Sequence, residues 1–206
     1  MTIKIIIAAL AIAITASASG QNEKPFSNES FGIFSLGTRN TFSSFSHDKQ
    51  AGIGIGGQFR LQYNERINTE WYFDYITYQT ARTYKNDYHI GWSVLYYPGR
   101  TVDFSKLLQP YLIAGHCFDL SMVGEKSNET NKQKRTSMAT QAGLGTHINI
   151  TPKLDCSLSA QYMLHFGKEM HVHEDAEHVE IEKHNNSAPD GHLLFTVSFN
   201  YKLVDF

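Results

Sequence analysis

Cysteine is scarce. Cys117 and Cys156 are the only two in 206 residues, which argues against the disulfide framework that small exported domains use to supplement a core. Charge of one sign is lacking too: 18 Lys and Arg stand against 20 Asp and Glu, giving a net charge of -2. With no basic stripe, nucleic acid is a poor partner class. After residue 14 no apolar run approaches the roughly 20 residues of a spanning helix. Helical periodicity is missing as well, since no stretch repeats its apolar residues at three- and four-residue intervals. What the chain has instead is aromatic residues and glycine: 13 Phe, 11 Tyr and 15 Gly. Their spacing carries the rest of the reading.

At the N-terminus, Lys4 precedes an apolar run from Ile5 to Ile14, and Ala16-Ser17-Ala18 follows as an A-x-A-like cleavage site. This is the layout of a secretory signal. Cleavage after Ala18 and cleavage after Gly20 both fit. No Cys follows the run, so a lipidated N-terminus is not expected. Residues 1–20 then read as a signal peptide, 21–28 as a short lead, and 29–206 as one domain.

Beyond residue 29 almost every segment alternates with period two, the mark of strands with one apolar face. In "GIGIGGQFRLQY", Ile53, Ile55, Phe59, Leu61 and Tyr63 share one side, while Gly52, Gly54, Gly56, Gln58, Arg60 and Gln62 share the other. Trp71, Phe73 and Tyr75 oppose Glu70, Tyr72, Asp74 and Ile76. Ile90, Trp92 and Val94 oppose His89, Gly91 and Ser93. Leu112, Ala114, Phe118 and Leu120 oppose Tyr111, Ile113, Cys117 and Asp119. Leu144 and Ile148 oppose Gly143, Gly145 and His147. Leu158, Tyr162 and Phe166 oppose Asp155, Gln161 and His165. At the C-terminus Phe195, Val197, Phe199, Tyr201 and Leu203 alternate with Thr196, Ser198, Asn200 and Lys202. With a first strand near Ser30–Arg39, whose phase the pattern leaves open, this makes eight strands.

Two architectures produce such alternation. A soluble two-sheet sandwich turns its apolar faces inward, whereas a membrane barrel turns them to lipid and must close so that no backbone group is left unpaired. Three features favour the barrel. The segments run to ten residues or more, longer than ordinary strands. Connections at "NERIN", "PGRTVDFSKL" and "TPK" are short to medium, and those between them are mostly longer and polar. Aromatics also gather near strand ends, with Tyr63, Trp71, Tyr96, Tyr111 and Tyr201 by the short turns and Tyr78, Tyr88, Trp92, Phe118 and Phe166 towards the loops. The glycines then belong to a narrow lumen. Arg60, Glu70, Asp74, His89, Asp119, Asp155 and His165 become inner charges, expected in a mutually paired network.

This layout resembles the small outer-membrane β-barrel proteins of Gram-negative bacteria, of the OmpX, OmpW and OmpA-barrel type. The resemblance covers nearly the whole chain after the signal. It implies an eight-stranded antiparallel up-and-down transmembrane β-barrel with short periplasmic turns and longer polar outer loops. It also implies partners: outer-membrane lipid, lipopolysaccharide, and the barrel-assembly machinery during insertion. One departure concerns the terminal signal of that family, which places a final Phe in phase with the apolar set. Here Phe206 is in phase with Lys202 and Asn200, so a bulge near Leu203 or an end outside the strand is expected.

Chemical motifs are few. Gly52, Gly54 and Gly57 match G-x-G-x-x-G, but another alternating strand follows where a dinucleotide site needs a helix. "HVHEDAEHVEIEKH" collects His171, His173 and His178 among carboxylates, which suits a weak surface zinc, copper or nickel site in an otherwise solvated loop. Cys117 and Cys156 fall on opposite faces, so no disulfide is expected. His116 and Ser121, the nearest approach to a lipid-facing His–Ser pair, have opposite phases. No catalytic residue and no cofactor is therefore expected, and the pattern names no surface ligand. The function expected is a non-enzymatic structural or surface-interaction role through the outer loops, with a narrow pore as a variant. A lipopolysaccharide-modifying enzyme and a soluble exported sandwich are the alternatives.

Overall fold

A computed structural model describes residues 32–45, 51–98, 107–128, 130–167, 170–174, 179–183 and 190–204. The signal segment, the lead and Phe206 lie outside the described residues. Among the described residues there are ten strands: β1 Phe34–Phe45, β2 Ala51–Gln62, β3 Ile67–Gln79, β4 Thr83–Tyr96, β5 Leu108–Glu125, β6 Lys132–Asn149, β7 Leu154–Phe166, β8 Met170–Glu174, β9 Val179–Lys183 and β10 Asp190–Val204. Eight of them close into one barrel in the order β1-β10-β7-β6-β5-β4-β3-β2. β8 and β9 form a separate antiparallel pair within the long connection from β7 to β10.

The barrel is apolar outside and polar inside. On β2, Ile53 is 69% exposed while Arg60 is 2% exposed. The same inversion repeats on every barrel strand, and it excludes the soluble sandwich, whose core faces would be the apolar ones. Each expected inner charge is buried: Arg60, Glu70, Asp74, His89, Asp119, Asp155 and His165. β1 takes the phase that its pattern left open, with Arg39 inward and Leu36 and Phe42 outward. Thr38 and Asn40 share that outward phase, which is why hydrophobicity alone did not reveal it.

Closure is made by the terminal strand. β10 pairs with β1 along its length, Phe195 opposite Phe42. Phe34 pairs with Val204, whereas Ser35 pairs with Lys202, so Leu203 is an extra residue in the ladder. This is the bulge expected near Leu203, and it turns both Leu203 and Val204 outward.

Short connections are set by side chains that hold the turn. Asn64 Oδ1 accepts from the amides of Arg66 and Ile67 at 2.8 and 2.9 Å. Thr151 Oγ1 does the same for Lys153 and Leu154 at 3.3 and 2.9 Å. At the other end, part of the polar sequence read as loop continues the strands. β5 and β6 are 18 residues each, and Lys132, Lys134 and Thr136 follow the outward phase of Met138 and Leu144. The ladder thus runs on past the apolar belt.

Two inward features differ from the expected small or polar lining. Tyr111, grouped above with the turn-end aromatics, faces the lumen, its ring 4.6 Å from that of His147. The interior also holds apolar layers, one of Tyr72, Ile76, Cys117, Ala139, Met163 and Leu194 and one of Leu95, Tyr97, Tyr111 and Ile113. A narrow lumen must be filled by side chains, and apolar ones fill it without partners.

Candidate functional site

The chemistry of the described residues is concentrated in the lumen, in three levels. Nearest the short turns, Arg60 of β2 reaches across to Asp155 of β7, its Nη2 donating at 2.8 and 2.6 Å to the two carboxylate oxygens. His147 of β6 joins them: Arg60 Nη1 lies 2.9 Å from its Nδ1, and Tyr97 Oη lies 2.9 Å from its Nε2. Asn200 of β10 donates to Asp155 at 3.1 Å. Near the C-terminal end of β10, Lys202 donates to the Pro152 carbonyl at 3.0 Å and ties the terminal strand to the β6–β7 turn.

The middle level centres on Arg39. It donates to Asp74 at 2.9 Å, to Glu70 at 2.7 Å and to Gln58 at 2.9 Å, and its guanidinium lies 4.2 Å from the centre of the Tyr72 ring. Gln58 donates onward to Asn200 at 2.5 Å and to Ser198 at 3.2 Å. Tyr72 donates to Gln141 at 2.9 Å, and Gln141 to Ser93 at 2.7 Å. Strands on opposite walls are thereby joined through side chains.

The third level lies towards the loop end. His89 of β4 stands opposite Asp119 of β5 in the ladder, its Nε2 3.3 Å from Asp119 Oδ1. His165 of β7 comes from beyond β6, its Nδ1 3.1 Å from Asp119 Oδ2. One ligand-type atom from each of the three lies within 4.8 Å of the others. His192 of β10 stands beside them, its ring centre 4.8 Å from that of His165 and 6.1 Å from that of His89. Ser137 donates to Asp119 Oδ2 at 3.0 Å, and Arg135 Nη2 lies 3.6 Å from the same oxygen.

The sequence-derived candidates fall elsewhere. His171 and His173 lie on β8, opposite Glu182 and Glu180 of β9 in register, so that stretch is extended. His178 lies outside the described residues. The glycines of "GIGIGG" lie within β2, with no helix after them. Cys117 is buried and Cys156 half-buried, both free. Cys117 Sγ lies 3.7 Å from Met163 Sδ, while His116, on the lipid side, accepts from Trp92 Nε1 at 3.1 Å. Ser121 faces the lumen and donates to Asp87 at 2.5 Å, so it does not meet His116. Two functional-looking residues were not singled out from the sequence. Arg39 was hidden by the phase of β1. His192 shares the parity of Thr196 and Ser198, and that parity was the available signal.

No family model matches the chain, and no curated protein matches it in sequence. Solved structures do match. The chain is similar to a major outer membrane protein from Thermus thermophilus, with a TM-score of 0.58 and 11% identity over 84% of this chain and 99% of that one. It is similar to Neisserial surface protein A, with a TM-score of 0.55 and 15% identity over 84% and 97%. OprG from Pseudomonas aeruginosa aligns with a TM-score of 0.51 and 15% identity over 85% and 98%. At such identities the likeness is one of fold. The chain has the fold of the small outer-membrane β-barrels. Its apolar belt and paired lumen are what a closed barrel in that membrane requires.

Proposed function

We propose that the protein is a non-enzymatic component of the Gram-negative outer membrane, closed to solutes, that acts at the cell surface through its loop end. The observation that carries this reading is the interior. Arg60–Asp155 joins β2 to β7, Gln58–Ser198 joins β2 to β10, and Tyr72–Gln141 joins β3 to β6, with apolar layers between the charged levels. A conducting path needs a continuous wet channel, and in this reading the cross-lumen contacts of the two lower levels interrupt one. The narrow-pore variant is therefore set aside. Lipopolysaccharide surrounds the loop end in this reading, and the barrel-assembly machinery inserts the chain.

The enzyme alternative needs a nucleophile and a base on the lipid side. His116 is there, but its ladder neighbours are Trp92 and Thr140, and Ser121 points inward. Polar strand ends of β5 and β6 beyond the belt supply a surface for contact instead, with Glu125, Lys132 and Lys134 among them.

The test is conductance across planar bilayers of the refolded barrel, with lipid A mass spectra from cells with and without the gene. Silent bilayers and identical spectra are expected. Stable single-channel steps from the wild-type protein would overturn the closed interior, and a mass shift in lipid A would overturn the non-enzymatic role.

A further inference from the structure

We propose that His89, Asp119 and His165 form a binding site for a divalent transition-metal ion inside the loop end of the barrel, zinc being the best fit. This goes beyond the surface role above and holds whatever the loops contact.

The first ground is donor chemistry. Two imidazoles and one carboxylate form a donor set that suits zinc, and the remaining tetrahedral position stays open for water or for His192. Ligands held about 2.0–2.1 Å from one zinc in a tetrahedron stand about 3.3–3.4 Å apart. The 3.3 Å from His89 Nε2 to Asp119 Oδ1 is already near that spacing, and one ligand-type atom from each of the three residues lies within 4.8 Å of the others.

The second ground is independent of spacing. Both ring nitrogens of His89, both of His165, and Asp119 Oδ1 are buried without an aligned hydrogen bond, although both rings stand within ion-pair distance of Asp119. Side chains of the three residues are 1–3% exposed. Buried polar atoms in native interiors are nearly always satisfied, and five orphans on three side chains that meet at one point call for an explanation. An internal ion-pair network is the ordinary one, and the lower levels show how such a network looks here: Arg60 and Arg39 aim their N–H groups at carboxylates at 2.6–2.9 Å. His89 and His165 approach Asp119 without that alignment. A cation between the lone pairs would satisfy three of the five orphans together.

The surroundings fit a metal site as well. Ser137 holds Oδ2 of Asp119 at 3.0 Å, the kind of outer hydrogen bond that orients a ligating carboxylate, and it leaves Oδ1 for the ion. Cys117, Met163 and Leu194 occupy the next inward positions turn-ward of Asp119, His165 and His192 and form part of an apolar layer. That layer closes the site from below, so the ion arrives from the loop end. Once bound, it would tie β4 and β5 to β7 across the intervening β6.

The experiment uses the full barrel refolded in detergent, stripped with chelator and titrated with zinc alone against a chromogenic competitor. Heat-modifiable gel migration is followed in parallel. One zinc per chain is expected, together with a higher temperature for the migration shift. His89→Asn and His165→Asn should each weaken binding by more than the roughly 10–100-fold that loss of an outer-shell partner costs, while still showing the folded band. A combined His171→Ala, His173→Ala, His178→Ala variant should bind as the wild type does. Absence of micromolar binding, unchanged affinity in His89→Asn, or loss only in the loop variant would each overturn the proposal. A zinc-edge anomalous map of wild-type crystals tests it without any variant. A peak between His89 and His165 supports the site, and a peak only at the β8–β9 pair refutes it.

Discussion

Replacing Arg39 with methionine isolates the worth of the middle level. The guanidinium lies 2.7 Å from Glu70 and 2.9 Å from Asp74, with side chains 0–6% exposed. At an effective dielectric of about 20, opposite charges at those separations attract by about 6 kcal/mol per pair, so the two pairs hold about 12 kcal/mol of gross attraction. Desolvation of three ions, several kcal/mol each, cancels most of this. In Arg39→Met the attraction is lost and the carboxylates stay buried. The expected loss of stability is about 3–5 kcal/mol, the range for orphaning a buried charge. Urea unfolding of the barrel refolded into lipid vesicles measures it, with Trp71 and Trp92 on the lipid side as fluorescent reporters. Adding Glu70→Gln and Asp74→Asn to Arg39→Met removes the orphaned charge and should recover at least half of the loss. Lys132→Met on the exposed strand end should stay within about 0.5 kcal/mol. If Arg39→Met costs less than about 1 kcal/mol, the worth of an exposed pair, the cluster is not a dry interior network. Failure of the triple variant to recover would show that the loss came from packing over Tyr72 rather than from charge.

Two further predictions concern the frame. A Cβ on Gly91 would run into the Tyr72 ring and Cys117 Cβ, so Gly91→Val should destabilise the barrel by about 1–3 kcal/mol through overpacking. A loss under about 0.5 kcal/mol in the same urea assay, the size of an ordinary surface change, would mean that Tyr72 yields freely, against its cation–π and Gln141 contacts. Deleting Leu203 removes the extra residue of the β10 ladder and leaves Tyr201, Val204 and Phe206 alternating without a bulge. Assembly into the heat-modifiable form should survive this deletion, and a defect as large as that of Phe206→Ala would refute the parity argument.

The period-two pattern is local, and what depends only on it was legible. Neighbouring side chains on a strand take opposite faces, so Arg60 could be assigned to the lumen from "QFRLQY" alone. Partners were not legible, because they depend on closure and stagger. Arg60 meets Asp155 across 95 positions of sequence, and nothing near either residue announces the other. The same reason hid the third level. His89, Asp119 and His165 were each placed inward correctly, yet they share a height only once β4, β5 and β7 have been staggered around the barrel. The loop drew the metal reading instead, because His171, His173 and His178 are close in sequence. β1 failed locally: with Thr38 and Asn40 outward, its hydrophobic contrast is too weak to fix a phase, and Arg39 went unseen.

A barrel of this kind has little freedom outside. Most of its outward positions are apolar to suit lipid, whatever the protein does, with Thr38 and Asn40 among the exceptions. Selection for function can therefore act only inside and beyond the belt. Inside, the two lower levels spend most of their polar atoms on one another, and each charge there has a named partner. At the loop-end level Asp119 accepts from Ser137 and stands within ion-pair distance of His89 and His165, yet five atoms on these three side chains lack an aligned hydrogen bond. The contrast within one lumen, aligned charge pairs below and poorly aligned ones above, is what makes the His89–Asp119–His165 level the place to look for a ligand. If the charges had been there only to fill space, the same pairing would run through all three levels.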